Sequence, residues 1–185
     1  MNMKEIRFHG RGGQGSVTAA QLLAIAAFHE GKQSQAFPRF GVERRGAPVE
    51  SFTRISDEKI NIRSGVYNPD IIVVLDPSLI EDEDVTNGLK SKGTMIINTI
   101  KDPKKLIKNH ANFEIFTVDA TSIAMNIFQK PIVNTAILGG FAYATKLVSL
   151  ESLNKAIEER FGRAQKLIDI NKKAVKEAYE KCQQK

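Results

Sequence analysis

Apolar positions in this 185-residue chain fall into two kinds of run, and each predicts a different element. Short unbroken runs rich in β-branched residues cover 71–75, 94–98 and 113–118, with short helices expected between them. Because they do not alternate with polar positions, they read as strands covered on both faces, as in a mostly parallel sheet sandwiched by helices. Further strands are predicted over 6–9 and 33–37. An antiparallel hairpin is predicted from 49–55 through a turn at 56–59 to a returning strand at Ile60-Asn61-Ile62. The other kind of run has helical period. Over 17–28, Ala19, Ala20, Ala24, Ala26 and Ala27 interleave with Leu22, Leu23 and Ile25, so this helix is apolar almost all round and must be covered on more than one side. Gly31 ends it.

The last third is helical throughout. Asp119 or Thr121 caps a helix to about Phe128, Asn134 starts one to about Leu147, and Ser149 starts one to about Phe161. A final helix runs from about Arg163 to near Cys182, with Leu167, Ile170 and Ala174 on its packed side. Lys166, Lys172, Lys173, Lys176 and Lys181 take its solvated side. Repeats, low-complexity tracts and an interdomain linker are absent, so residues 1–185 are expected to form a single domain. Its length suffices to bury roughly 70% of the unfolded surface.

Between the first strand and the first helix lies Gly10-Arg11-Gly12-Gly13-Gln14-Gly15, with the helix starting near Gln14 or Ser16. Four glycines expose backbone amides where the positive helix end converges, a place suited to an anion such as a phosphate. The plainer reading is that the glycines only permit a tight turn. The spacing also fits G-x-G-x-x-G, but a Walker A loop would need Lys and then Ser or Thr after Gly15, where Ser16 follows directly. An NAD site would want an acidic residue about 20 positions on. The region 32–37 reads Lys-Gln-Ser-Gln-Ala-Phe, which leaves a freestanding NAD(P)-binding domain as the lesser alternative.

A second candidate segment is the loop 38–48, where Arg39, Arg44 and Arg45 stand with Glu43 between Gly41 and Gly46. With Arg11 it supplies fork-shaped donors for phosphate or carboxylate, and both loops could line one crevice at the strand ends. Simple solvation or surface ion pairing explains such a loop equally well. Asp76 follows a strand and reads as a strand-end residue or a helix cap. His9 reads as a strand-end residue and His29 as a helix-end residue. Catalytic and metal-ligand spacings are missing, and the carboxylates at 81–84 read as a surface run.

Composition narrows the partners. The chain is 42% hydrophobic and 26% charged, ordinary for a globular protein, with a net charge of +6 that favours anionic partners. Nucleic acid is disfavoured, because basic residues are not interleaved with aromatics. Membrane-spanning and signal segments are not found, so the cytoplasm is the expected location. One cysteine, Cys182, cannot build a disulfide, a thiolate zinc site or an iron–sulfur cluster, so any redox metal must belong to a partner.

The stretches 7–15, 37–48 and 53–56, together with Pro69-Asp70, Val74-Leu75-Asp76-Pro77 and the 134–140 helix, closely resemble the gamma subunits of the pyruvate:ferredoxin (2-oxoacid:ferredoxin) oxidoreductase family. Ala47 stands where some members carry a second glycine. The resemblance implies an α/β, Rossmann-like three-layer sandwich with a mostly parallel sheet, one antiparallel hairpin and a helical C-terminal third. It implies a non-catalytic subunit of an enzyme that decarboxylates a 2-oxoacid oxidatively, passes the acyl group to coenzyme A and sends two electrons to ferredoxin. Thiamine diphosphate, magnesium and iron–sulfur clusters would sit on the alpha, beta and delta partners. By position, Gly10, Arg11, Gly12, Gly13, Gln14, Gly15, Arg39, Arg44 and Arg45 become candidates for coenzyme A phosphates or for the subunit seam. The apolar first helix would lie against both the sheet and a neighbouring subunit.

Overall fold

The computed structural model describes residues 3–39, 45–82, 84–107 and 110–184. Strand β1 (Lys4–Arg11) leads into α1 (Ser16–His29), followed by β2 (Gln33–Pro38), β3 (Pro48–Ser56) and β4 (Ile71–Val74). The one-turn helix α2 (Leu79–Asp82) precedes β5 (Thr94–Asn98), and two 3-10 turns, Pro103–Lys105 and His110–Asn112, lead to β6 (Glu114–Val118). Helices α3 (Ala120–Phe128), α4 (Ala136–Thr145), α5 (Leu150–Phe161) and α6 (Gln165–Lys181) follow, then a two-residue strand β7 (Gln183–Gln184).

All seven strands join one sheet in the order β2-β3-β1-β4-β5-β6-β7. The central β1, β4, β5 and β6 are parallel, while β3 is antiparallel to both β1 and β2, and β7 is antiparallel to β6. The expected α/β architecture is therefore present, but the antiparallel hairpin is β2–β3. Residues 60–62 form no strand. Both flanks of β3 are already taken, and the segment's acceptors are met by a side chain instead. Arg54, fully buried on β3, donates to the carbonyls of Ile62 (3.4 Å), Ser64 (2.7 Å) and Gly65 (3.2 Å) while its Nε meets Glu5 Oε1 at 2.9 Å.

The two faces of the sheet are unequal. On one, Ile6, Phe8, Ile55, Val73, Ile96 and Phe116 form the main core with α1 and α3–α6. On the other, Ile72, Val74, Met95, Ile97 and Ile115 meet Leu79, Val85 and Ile107, with Ile80, Leu89, Leu106 and Phe113 packed around them, all from short elements and connections. Helix α1 is apolar almost all round, with the sheet on one side and α5 of the same chain on another, while Phe28 near its end stays exposed. Hydroxyls of Thr53 and Ser34 donate to its Ala20 and Ala24 carbonyls at 2.9 and 2.7 Å.

Capping follows the sequence in two of the later helices. Asp119 accepts from the Ser122 amide at 2.9 Å, and Ser149 with Ser152 forms a capping box. Asn134 does not cap α4, which starts after Thr135 without a side-chain cap; Asn134 packs against Gly15 instead. The packed stripe of α6 is Ile168, Asn171, Ala174, Val175 and Ala178, rotated from the expected one, and Leu167 is exposed. Where α4 crosses α6, a Cβ on Gly139 would collide with the Val175 carbonyl oxygen, so only glycine permits this approach. The Cys182 side chain is buried beside Gly140, and burial pushes its thiol pKa up to about 11.

Two substitutions test this packing. Gly139→Ala should lower the thermal unfolding midpoint, because overpacking costs roughly 1–3 kcal/mol or more against rigid backbone. Helix propensity alone would instead raise stability by about 1 kcal/mol, so a raised midpoint would contradict the close crossing. Arg54→Met should cost roughly 3–5 kcal/mol by leaving Glu5 and the 62–65 carbonyls uncompensated. That is a fall of about 6 °C or more in Tm for a chain of this length. Arg54→Lys, with one compact donor head, should rescue little of it.

Candidate site at the glycine loop and the exposed sheet face

Strand β1 continues through Gly10 and Arg11, so the turn proper is 12–15. Gly13 (φ 95°) and Gly15 (φ 79°) adopt the left-handed backbone that glycine permits without strain. Gly15 is also fixed by contact, since a Cβ there would stand 3.1 Å from Asn134 Cγ. Several of the loop amides find acceptors within the chain. The Arg11 amide donates to Gln14 Oε1 (2.7 Å), that of Gly12 to the Ala47 carbonyl (2.8 Å) and that of Gln14 to the Arg11 carbonyl (3.0 Å). The Gly46 amide returns a bond to the Gly12 carbonyl at 3.0 Å. Among the described residues, the amides of Gly13, Gly15 and Ser16 meet no acceptor, and α1 has neither a side-chain cap nor an acidic residue in its first turn. The surface that can greet an anion is therefore the 13–16 end of the loop, narrower than the six-residue cradle expected from the glycines.

Gln14 and Asp76 fasten the loop to the next strand. Gln14 Nε2 donates to Asp76 Oδ2 at 2.7 Å, while Asp76 Oδ1 accepts from the Ser78 amide (3.0 Å) and hydroxyl (2.7 Å). Asp76 thus serves both as a strand-end residue and as a turn cap. Burial raises its pKa, but the hydrogen bonds from Ser78 and Gln14 and the charge of Arg11 outweigh it and hold the carboxyl below its ordinary range. Arg11 is similarly engaged: its Nη2 donates to Asp82 (2.6 Å) and Ser78 Oγ (2.8 Å), and its Nε lies 3.4 Å from Asp76. Arg11 therefore ties the loop to α2.

Of the other candidate arginines, Arg45 stands beside the glycine loop and Arg39 stands apart from it. Arg45 is exposed, with its Cγ 4.0 Å from where a Gly13 Cβ would be. Arg39 pairs with Glu50 Oε2 at 2.7 Å, farther along the sheet. Arg44 lies outside the described residues.

The strand alternation also builds a polar face that the motif reading passed over. Arg7, His9 and Arg11 share the side of β1 opposite Ile6 and Phe8, with Phe52 and Glu50 of β3 facing Arg7 and His9 in register. Arg7 Nε donates to His9 Nε2 (2.9 Å), and its Nη2 donates to the carbonyls of Asn87 (2.6 Å) and Val85 (3.1 Å). Burial, reinforced by the charges of Arg7 and Arg39, pushes the His9 pKa down to about 3, so the ring is neutral at physiological pH. Accepting at Nε2 places its proton on Nδ1, 3.9 Å from Glu50 Oε1. Arg7, Arg39 and Arg63, with Glu50 and Asp84, edge a cleft of about 380 Å³ beside Phe37 and Tyr67. The signal was available in the period-2 series Glu5, Arg7, His9, Arg11, which places four polar side chains on one face.

The unpaired amides of Gly13, Gly15 and Ser16 and the nearby guanidinium groups are donors of the kind that suit anions. Among the described residues, no three His, Cys, Asp or Glu side chains are grouped to hold a metal ion. The sequence matches the pyruvate ferredoxin/flavodoxin oxidoreductase family over residues 5–181. It is 56% identical over 181 residues to the pyruvate/ketoisovalerate oxidoreductases common subunit gamma of Thermococcus kodakarensis, covering 97% of each chain. It is 54% identical over 177 residues to pyruvate synthase subunit PorC of Methanocaldococcus jannaschii, covering 96% of each. The crystal structure of pyruvate oxidoreductase subunit PORC from Thermotoga maritima superposes with a TM-score of 0.87 at 41% identity, over 99% of this chain and 98% of that one. Similarity that runs from the first strand through the last helix, in sequence and in fold, has one consequence: the chain belongs to the pyruvate ferredoxin/flavodoxin oxidoreductase family.

Proposed function

We propose that this chain is the gamma subunit of a multi-subunit pyruvate (2-oxoacid):ferredoxin oxidoreductase. The observation that carries this reading is the end-to-end match to subunits named gamma and PorC. In the overall reaction the bond between the carboxylate and carbonyl carbons of pyruvate breaks and carbon dioxide leaves. The acetyl group joins the coenzyme A sulfur, a proton is released and two electrons pass to ferredoxin. Thiamine diphosphate, magnesium and iron–sulfur clusters belong to the alpha, beta and delta partners, in keeping with a chain that has only one cysteine, Cys182, and that one buried. The cytoplasm is the proposed location, and no helix among the described residues is long and apolar enough to cross a membrane.

The part assigned to this chain is contact with a partner subunit and with coenzyme A. A coenzyme A phosphate would meet the uncapped start of α1 at Gly13, Gln14 and Gly15, with Arg44 and Arg45 as donors. Gly10, Arg11 and Gly12 would hold the turn in shape, and Arg39 would edge the site. Closure of the loop by Gly46 and Ala47 favours a second role for the same end as subunit seam. A freestanding dinucleotide domain is disfavoured because the sheet position beside β1 belongs to antiparallel β3, and β2 ends without a carboxylate.

Replacing Arg44 and Arg45 together by Ala should raise the KM for coenzyme A about tenfold, some 1.4 kcal/mol, with the complex intact and kcat little changed. Loss of assembly instead would assign the loop to the seam, and an unchanged KM would remove coenzyme A from it. Calorimetric titration of the isolated chain with NAD(H) or NADP(H) should show no micromolar binding; binding at that level would revive the dinucleotide reading.

A further inference from the structure

A groove of about 740 Å³ lies between the α3–α4 connection and the ends of α5 and α6 that meet at residues 160–171. Its apolar lining includes Ile127, Phe128, Phe161 and Ile170, and the large side chains of Ile132 and Leu167 are 45% and 44% exposed along it. Lys130, Arg160 and Lys166 stand in the same lining, one from each wall, and among the described residues no carboxylate lines the groove.

The contrast with nearby cations is informative. On the same two helices Lys155, Lys172, Lys176 and Lys181 each pair with a glutamate: Glu151, Glu158, Glu180 and Glu177 respectively. Lys130, Arg160 and Lys166 have no such partner among the described residues, and unlike Lys173 of α6, which also has none, they stand around the apolar lining. Positions three and four before and after Arg160 are Ala156, Ile157, Arg163 and Ala164, none of them acidic, and the one acidic helical neighbour of Lys166, Asp169, accepts instead from Gln165 Nε2 at 2.7 Å. An occupant that covers the apolar lining must also desolvate these cations, which costs free energy unless it supplies carboxylates. The groove adjoins the glycine loop, since Thr18 of the first turn of α1 and Asn134, which packs on Gly15, both line it.

We propose that this groove receives a segment of a partner subunit that inserts apolar side chains over Ile132 and Leu167 and sets acidic side chains against Lys130, Arg160 and Lys166. The inference rests on the chain's working as a subunit of a complex. Apolar contact supplies the adhesion, and the three charges fix the register and make the contact sensitive to salt.

The test uses the co-expressed, purified complex. A photo-crosslinking amino acid at Ile132 or Leu167 should attach to a partner peptide that carries Asp or Glu within a few residues of the attachment point, read by mass spectrometry. Lys130→Glu, Arg160→Glu and Lys166→Glu combined should weaken retention of this chain about tenfold at 0.15 M salt, read by gel filtration across a dilution series. The corresponding Gln triple variant should weaken it less, and Lys173→Glu, outside the groove, should leave it unchanged. Circular dichroism on each variant checks that these surface changes leave the fold intact. Retention of the Glu triple variant at the wild-type level, or attachment to a peptide without carboxylates, overturns the proposal. So does intact assembly with a raised KM for coenzyme A, which would give the groove to the small anion. If the wild-type chain itself fails to co-purify with thiamine- and cluster-bearing partners, the functional reading falls first, which is a separate result.

Discussion

Strand β3 pairs with β1 at every position from Lys4 to Arg11, and beyond Arg11 the pairing continues as the two hydrogen bonds that join Gly12 to Gly46 and Ala47. Most of what distinguishes the site follows from that register. In an open doubly wound sheet the loop after the first strand faces a crevice, because its neighbours are parallel strands that end at the same level. Here an antiparallel neighbour arrives from beyond the loop and takes the Gly12 amide, which would otherwise face a ligand. The glycines serve geometry as much as ligand access: Gly15 yields space to Asn134, and Gly13 turns the chain into α1.

The same insertion of β3 creates the polar face. A parallel strand buried on both sides would carry apolar residues throughout. Strand β1 instead has Ile6 and Phe8 toward the main helices and Arg7, His9 and Arg11 toward a side covered by connections and the one-turn α2. Buried Arg54 makes that thin cover possible, since one planar guanidinium satisfies carbonyls of 62–65 that lack a neighbouring strand. The neutral state of His9 belongs to the same economy, because a second positive charge beside Arg7 would stand in a low-dielectric pocket.

Charge is partitioned across the surface more sharply than the net +6 suggests. Arg11 and Arg39 are engaged with carboxylates of the chain, and Lys155, Lys172, Lys176 and Lys181 of α5 and α6 are paired along or between those helices. Lys130, Arg160 and Lys166 stand apart from these pairs, around apolar side chains. The net charge thus says little about where cations are left without an internal partner.

The sequence by itself determined the strand set of the parallel core, the capped starts of α3 and α5, the dense alanine helix and the family. Each of these depends on local periodicity, on a side chain bonding its own backbone, or on a long contiguous motif. Tertiary structure decided the rest. The partner of β3, the occupancy of the Gly12 amide, the engagement of Arg11 with Asp82 and the rotation of the α6 stripe all depend on residues many positions apart. Nothing in the run Ile60-Asn61-Ile62 reveals that Arg54 will hold the carbonyls around it, and nothing in Asn134 reveals that Gly15 will claim its side chain in place of a helix cap. Hydrogen-bonding groups are satisfied by whichever partner packing brings within reach, and packing is a property of the whole chain.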